Sequence, residues 1–287
     1  MMFVAMTGIL VALGSIVGYV FKNVWLGFYI MLAFSLIVTF ASFFFAKKMA
    51  LTANKVRIIT REEEPRLYDT VERLAMKAGL PMPEVGISDV PMPNAFATGR
   101  GPKDAAVVAT RPLLNMLNDE ELEGVIAHEL SHVKNRDILV MTVASALASI
   151  ISFATRMAMW SALFGGERNA GGLALIILAD LTMPFAAMLV QLGVSRSREY
   201  LADESGARLT GKPMALANAL QVLETGCSSS KNTYDNTSCA SMWISNPFGR
   251  KKNSAFAGLF STHPSTEDRI ARLKQLDEEI NGVRHFY

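Results

Sequence analysis

Residues 118–135 read NDEELEGVIAHELSHVKN. Asn118 is typical of a helix N-cap, and Glu121 three positions later completes a capping box, so a helix is predicted from there to about residue 135. Inside it lies an H-E-x-x-H pattern. Because positions i and i+4 lie one above the other on a helix face, His128 and His132 can reach one ion. The spacing predicts two metal ligands.

The chemistry of this pattern is that of a metal-assisted hydrolase. Zinc accepts imidazole nitrogens at about 2.0–2.1 Å. Glu129 is turned away from the ligand face but lies near the open coordination position, where it can take a proton from water that the metal activates. The pattern predicts one zinc ion per chain with Glu129 as catalytic base. The alternative is a helix with two surface histidines and no metal.

A catalytic zinc site needs a third protein ligand and an open fourth position. The segment EYLAD at residues 199–203 offers two carboxylates one helical turn apart. Glu199 can bind zinc, and Asp203 can accept the second ring N–H of a ligand histidine and fix its tautomer. The alternative is a solvated acidic helix face that Arg196 and Arg198 stabilise.

Four apolar runs predict membrane-spanning helices. Each is long enough to cross a hydrocarbon core of about 30 Å, which needs about 20 residues. The runs are residues 1–21, 24–46, 139–164 and 173–194.

Lysine and arginine near the ends of these runs predict the orientation. They flank the two polar regions, which should therefore face the cytoplasm and can fold together. The predicted domains are a transmembrane hairpin (1–46), the first cytosolic part with the H-E-x-x-H helix (47–138), a second transmembrane hairpin (139–194) and the second cytosolic part with the third ligand (195–287).

The predicted fold is a mostly α membrane protein with four transmembrane helices and a cytosolic α+β domain. Apolar residues at helical spacing predict a helix that stops at Gly79. Three short segments, 84–88, 95–98 and 105–109, alternate with Pro, Gly and Asn and predict a small antiparallel sheet. Ser265 predicts the N-cap of a closing helix, and residues 226–246 predict a mobile loop.

Composition excludes other classes of function. The formal net charge is +2, and no dense basic stripe with interleaved aromatic residues predicts nucleic-acid binding. Cys227 and Cys239 are too far apart for a metal-binding pair and are interpreted as reduced thiols.

The combination of motifs resembles one known family. The four runs, the H-E-x-x-H pattern, the R-x-x-E-Y-x-A-D segment at 196–203, and His263-Pro264 followed by Arg269-Ile270 are similar to the HtpX-type bacterial membrane zinc metalloproteases. These are gluzincins related to the CAAX-type prenyl-protein membrane proteases.

This resemblance implies an endopeptidase of the bacterial inner membrane that removes misfolded or damaged membrane proteins under stress. It implies zinc ligands at His128, His132 and Glu199, with Glu129 as catalytic base and acid and Asp203 orienting a ligand histidine. The implied partners are polypeptide substrates, chiefly membrane proteins, together with the lipid bilayer and other membrane quality-control proteases.

The resemblance also implies roles for residues outside the ligand set. His263 would stabilise the oxyanion of the tetrahedral intermediate, which needs a donor aimed at developing negative charge; the alternative is a histidine that only helps to open the last helix. Arg196 would pair with carboxylates near the site; the alternative is an arginine bound to lipid phosphate.

The segment Asn94-Ala95-Phe96-Ala97 resembles the family's edge strand beside the active-site cleft. An exposed edge can pair with an extended peptide through backbone hydrogen bonds. The alternative is an ordinary strand in which Asn94 serves a turn.

Two other functions remain open from the residues alone. One is a non-catalytic capture module for damaged membrane proteins, stapled by zinc; Glu129 argues against it, since a structural zinc site has no need for that carboxylate. The other is a zinc hydrolase of a non-peptide amide, against which only the predicted substrate strand argues.

Overall fold

The computed structural model describes residues 24–137, 139–141, 195–229 and 264–282. Contacts divide the chain into two compact units: Met1–Phe44 with Val140–Val194, and Phe45–Leu139 with Ser195–Tyr287. All of the candidate site residues that the structure describes belong to the second unit. The predicted domain boundaries stay predictions.

The described residues are mostly helical, with one small sheet. The helices are α1 (Val24–Ala53), α2 (Pro65–Ala78), α3 (Arg111–Met116), α4 (Asp119–Lys134), α5 (residues 195–210), α6 (Pro213–Ser229) and α7 (Thr266–Asn281). The strands are β1 (Val56–Ile58), β2 (Glu84–Ser88), β3 (Ala95–Thr98) and β4 (Ala106–Thr110), with a short 3-10 turn at Pro102–Asp104.

Little of the predicted membrane region falls on described residues. The second predicted span, 24–46, belongs to α1. The first lies outside the described residues, as do the fourth and all of the third beyond residues 139–141. Among the described residues, no helix is identified as long and apolar enough to cross a membrane. The four transmembrane helices stay a prediction.

The sheet is mixed, so the prediction of an antiparallel sheet is wrong. Its strand order is β1-β2-β4-β3; β1 and β3 run antiparallel to their neighbours, but β2 and β4 are parallel. The β3–β4 hairpin folds back so that β4 inserts between β2 and β3, which aligns it with β2. Both central strands are buried along almost all of their length. In strands that are buried on both faces, apolar and polar residues do not alternate, so the sequence pattern does not distinguish parallel from antiparallel pairing.

The helix that carries H-E-x-x-H lies at the centre of the core. On one side of α4, Leu122 and Ile126 pack in a cluster with Leu67 and Leu74 of α2. The same cluster includes apolar side chains of α6 and α7, among them Leu216, Leu220 and Leu273. The metal-binding motif therefore sits on a helix that is fixed by packing over most of its circumference.

Several predicted helix ends are confirmed. Asn118 Oδ1 accepts a hydrogen bond from Glu121 N, and Glu121 Oε2 accepts one from Asn118 N, both at 2.9 Å. Gly79 ends α2 with a φ of 69°, the left-handed conformation that glycine adopts without steric cost. Ser265 caps α7 by accepting a hydrogen bond from Asp268 N at 3.1 Å.

The predicted loop at 226–246 begins too early. Helix α6 continues to Ser229, so residues 226–229 are helical, and the rest of the predicted loop lies outside the described residues. Leu216, Leu220 and Leu223 hold α6 in the core. Because elongation fixes only one residue per added hydrogen bond, a helix anchored in the core can extend past poor helix formers such as Gly226 and Ser228.

Candidate metal centre

Three predicted ligands converge at one point. His128 and His132 occupy successive turns of α4, and their Nε2 atoms face each other at 3.1 Å. Glu199 of α5 places Oε2 3.8 Å from His128 Nε2 and Oε1 3.7 Å from His132 Nε2. One ligand atom from each of the three side chains lies within 4.8 Å of the others. The trio can hold a metal ion.

The donor set and its dimensions fit zinc. Two nitrogens bound at 2.0–2.1 Å to a tetrahedral ion are about 3.4 Å apart, close to the observed Nε2–Nε2 separation. Two imidazoles with one carboxylate is a donor set known from catalytic zinc sites. His128 is 1 % exposed and Glu199 is 7 % exposed, so these two ligands are held by close packing.

Behind His128 lies the predicted orienting carboxylate. Asp203 Oδ1 is 2.9 Å from His128 Nδ1. Arg269 of α7 grips Asp203 with two hydrogen bonds, from Nε at 2.8 Å and from Nη2 at 2.6 Å. Burial opposes the charge of Asp203, but Arg269 and His128 outweigh it and lower the pKa of the carboxyl. Arg269 had no role assigned from sequence; its Nη1 is also 3.6 Å from Glu199 Oε2.

Behind His132 lies a carboxylate that sequence reasoning missed. Asp137 Oδ2 is 2.5 Å from His132 Nδ1, and Asp137 Oδ1 accepts a 2.6 Å hydrogen bond from Arg198 Nε. Burial disfavours the charged ring, but the bond to Asp137 and the charge of Glu199 outweigh it and raise the pKa of His132 to about 9. The site therefore favours positive charge where a metal ion would bind.

Glu129 connects the metal centre to the sheet. Its Oε2 accepts a 2.8 Å hydrogen bond from the backbone N–H of Ala97 in β3. Burial raises the pKa of the Glu129 carboxyl above its ordinary value, against the opposing effect of His128 and His132. A buried carboxyl with a raised pKa is suited to proton transfer near neutral pH.

The predicted substrate segment runs along one edge of the sheet. Strand β3 is the last in the strand order. Asn94, just before it, makes two backbone hydrogen bonds with Thr110, both at 2.9 Å: Asn94 N donates to Thr110 Oγ1, and Thr110 N donates to Asn94 O. A small cavity of about 20 Å³, open to solvent, lies between the end of β3 and His132. The edge strand therefore borders the candidate metal centre.

Two predicted residues stay unassigned. His263 lies outside the described residues. Arg196 is half-buried near the start of α5, and its predicted pairing with site carboxylates stays a prediction. Arg198 and Arg269 do contact acidic residues next to the metal ligands, namely Asp137 and Asp203.

A glycine sets the close approach of the two ligand helices. At Gly206 of α5, a Cβ would lie 2.9 Å from the backbone N of His128 and 3.0 Å from its Cα. Real Cβ atoms do not occupy such positions, so the absence of a side chain lets α5 rest directly on the backbone of α4. This contact lies two turns from Glu199, the ligand that α5 supplies.

Comparisons with known proteins match most of the chain. A model of peptidase family M48 matches residues 61–277, which include both ligand helices. The protease HtpX homolog of Thermococcus sibiricus is 45% identical over 281 residues, covering 96% of this chain and 94% of the relative. The protease HtpX homolog of Tropheryma whipplei strain TW08/27 is 48% identical over 242 residues, covering 83% of this chain and 81% of the relative.

A solved structure shares the fold. The crystal structure of S. mikatae Ste24p matches with a TM-score of 0.63 at 20% identity, covering 94% of this chain and 63% of that chain. The family match spans most of the chain, and the Thermococcus sibiricus relative aligns over 94% of its own length. The chain therefore belongs to peptidase family M48 and is a metalloprotease related to HtpX.

Proposed function

We propose that the chain is a membrane-anchored zinc endopeptidase that cleaves misfolded or damaged membrane proteins at the cytoplasmic face, as part of a stress-linked quality-control system. The observation that carries the proposal is the convergence of His128, His132 and Glu199 beside the buried carboxyl of Glu129. A purely structural zinc site has no use for that carboxyl, whereas peptide hydrolysis needs a proton carrier there.

In this proposal His128, His132 and Glu199 hold the ion, while Asp203 fixes the ring of His128. When bound, zinc supplies a Lewis acid that polarises a carbonyl and makes water more acidic. Glu129 removes a proton from the attacking water and delivers it to the leaving amine. Because Ala97 N–H holds Oε2 of Glu129, the proton is carried on Oε1. His263 is proposed to stabilise the oxyanion, as a donor aimed at developing charge.

The proposed substrate is an extended polypeptide. Asn94, Ala95, Phe96 and Ala97 lead into and along an edge strand, and an edge can add one more strand through main-chain hydrogen bonds. Such bonding depends weakly on side chains, so unrelated damaged proteins can be accepted. The hydrogen bond from Ala97 N to Glu129 Oε2 supports this proposal, because it joins the edge strand to the proposed catalytic base.

Membrane anchorage is supported by α1 and by charge. Large apolar side chains of α1 are exposed along its length, including Ile30, Phe34, Ile37 and Phe44, and exposed apolar surface of this kind marks a membrane or partner contact. The basic residues that flank the predicted spans favour a cytoplasmic position for both protease parts.

One experiment tests anchorage, orientation and metal dependence together. Inside-out membrane vesicles that contain the chain are washed with alkaline carbonate, and an unfolded casein-type substrate is added to the outside. Cleavage is measured first without additions, then with a zinc chelator, and finally after excess zinc is restored. We expect the chain to sediment with the vesicles, to cleave without detergent, to lose cleavage with chelator and to regain it with zinc.

Each part of the proposal has its own contrary result. Recovery of the chain in the carbonate supernatant would exclude anchorage. Cleavage only by right-side-out vesicles would reverse the orientation. Full cleavage in the presence of the chelator would exclude the zinc mechanism. Zinc binding without cleavage of casein by any preparation would favour the capture module.

A further inference from the structure

Each of the two candidate ligand histidines has an aspartate behind it, and each aspartate is held by an arginine. Asp203 lies behind His128 and is gripped by Arg269 of α7. The corresponding pair behind His132 is Asp137 and Arg198. The family motifs that identify the first arrangement do not include Asp137.

Asp137 reaches His132 because the chain reverses just after α4. The helix ends at Lys134, and Arg136 takes the left-handed conformation with a φ of 55°. This turn brings Asp137 next to His132, where the residue is buried, with 7 % of its surface exposed. Since a carboxylate only accepts hydrogen bonds, His132 Nδ1 must donate to it, which directs Nε2 towards His128.

Arg198 ties this carboxylate to the third ligand. Its Nε donates to Asp137 Oδ1 at 2.6 Å, its Nη2 contacts the same oxygen, and Nη2 also donates to the backbone O of Asn135 at 2.8 Å. Because one oxygen of Asp137 faces His132 and the other faces Arg198, the carboxylate cannot rotate without losing one contact. Arg198 precedes Glu199 directly, so the end of α4 is fastened beside the residue that α5 contributes to the site.

We propose that Asp137 is the positioning residue of His132 and that its pairing with Arg198 sets the spacing between the two histidines and Glu199. This inference rests on the proposed metal site. Carboxylates that hold the second nitrogen of a metal-binding histidine fix the ring orientation, and their loss weakens metal binding by about 10–100-fold.

The test compares zinc affinity across variants of the full-length chain in detergent. Zinc dissociation constants are measured by competition with a chromogenic chelator for the unmodified chain, Asp137→Ala, Asp137→Asn and Arg198→Ala. We expect Asp137→Ala to bind zinc about 10–100-fold more weakly. Asp137→Asn should recover part of this loss, because its amide oxygen still accepts from His132. The zinc affinity of Arg198→Ala should lie between that of the unmodified chain and that of Asp137→Ala.

A control separates positioning from general stability. Asp277 of α7 is also a buried aspartate, and it accepts a hydrogen bond from Asn281. Asp277→Ala should lower the melting temperature without changing zinc affinity. The visible spectrum of the Co²⁺-substituted protein should change in Asp137→Ala and Asp137→Asn and stay unchanged in Asp277→Ala, since only Asp137 acts on a ligand.

Contrary outcomes are distinct from failure of the metal site itself. Zinc affinity of Asp137→Ala or Asp137→Asn equal to that of Asp277→Ala, with an unchanged Co²⁺ spectrum, would overturn the positioning role. If Asp137→Ala does not fold, Asp137→Asn and Arg198→Ala decide the question by the same comparison. Absence of zinc binding by the unmodified chain would instead reject the proposed metal site.

Discussion

Replacing Glu129 by glutamine is expected to leave the metal bound and to lower kcat/KM for protein substrates by about 10²–10⁴-fold, the usual contribution of a positioned acid–base group. Glutamine keeps the shape of the side chain, and its amide oxygen can still accept the hydrogen bond from Ala97 N that Glu129 Oε2 accepts. What it loses is the capacity to take and return a proton. Two quantities are measured on the purified variant: kcat/KM for cleavage of unfolded casein, and the number of zinc ions bound per chain.

Glu120→Gln is the matched control for this change. Glu120 lies on the same helix but is exposed and pairs with Lys212 at the surface, so its replacement should leave both cleavage and metal content unchanged. Cleavage by Glu129→Gln at the level of Glu120→Gln would remove Glu129 from the reaction. Loss of metal from Glu129→Gln would show that the residue supports the ligands rather than the chemistry.

The second large effect is expected at Gly206. In Gly206→Ala, the added Cβ would meet the backbone of His128 at about 3 Å, so α5 must move away from α4. Overpacking of this kind costs about 1–3 kcal/mol, against a helix-propensity gain of up to about 1 kcal/mol. Because metal ligands tolerate displacements of only about 0.2 Å, shifting the helix that carries Glu199 should weaken zinc binding by about tenfold or more.

Gly124→Ala is the control for overpacking alone. Gly124 of α4 lies against α6, where a Cβ would be 2.7 Å from the backbone N of Leu216. This change pushes α4 and α6 apart, and of these two helices only α4 carries ligands. Gly124→Ala should therefore lower the melting temperature but weaken zinc binding less than Gly206→Ala does. Equal loss of zinc affinity in both variants would show that Gly206 has no specific part in spacing the ligands.

The parts of the fold that follow local rules were predictable. The capping box at Asn118, the stop at Gly79 and the cap at Ser265 depend on residues within a few positions of each other. The structure also brings His128, His132 and Glu199 together as predicted. The two histidines share a helix face. The two acidic residues one turn apart in residues 199–203 indicated the third ligand and the carboxylate that orients a histidine.

Features made by tertiary contacts were not predictable. The parallel pairing of β2 with β4 depends on where the β3–β4 hairpin inserts, and two fully buried strands carry no directional pattern. Asp137 follows a left-handed turn at Arg136, and its partner Arg198 is 61 positions away. Sequence reasoning considered Arg198 only as a neighbour of Glu199, because nothing in the local pattern joins it to Asp137.

The zinc content of purified Glu199→Ala, measured beside that of Glu204→Ala, tests whether His128, His132 and Glu199 hold one catalytic zinc ion. Glu204 lies on the same helix, is half exposed and pairs with Arg208. We expect about one zinc per chain in the unmodified protein and in Glu204→Ala, and a large loss of zinc in Glu199→Ala at equal helix content. Full zinc occupancy in folded Glu199→Ala would contradict this assignment and move the third ligand elsewhere.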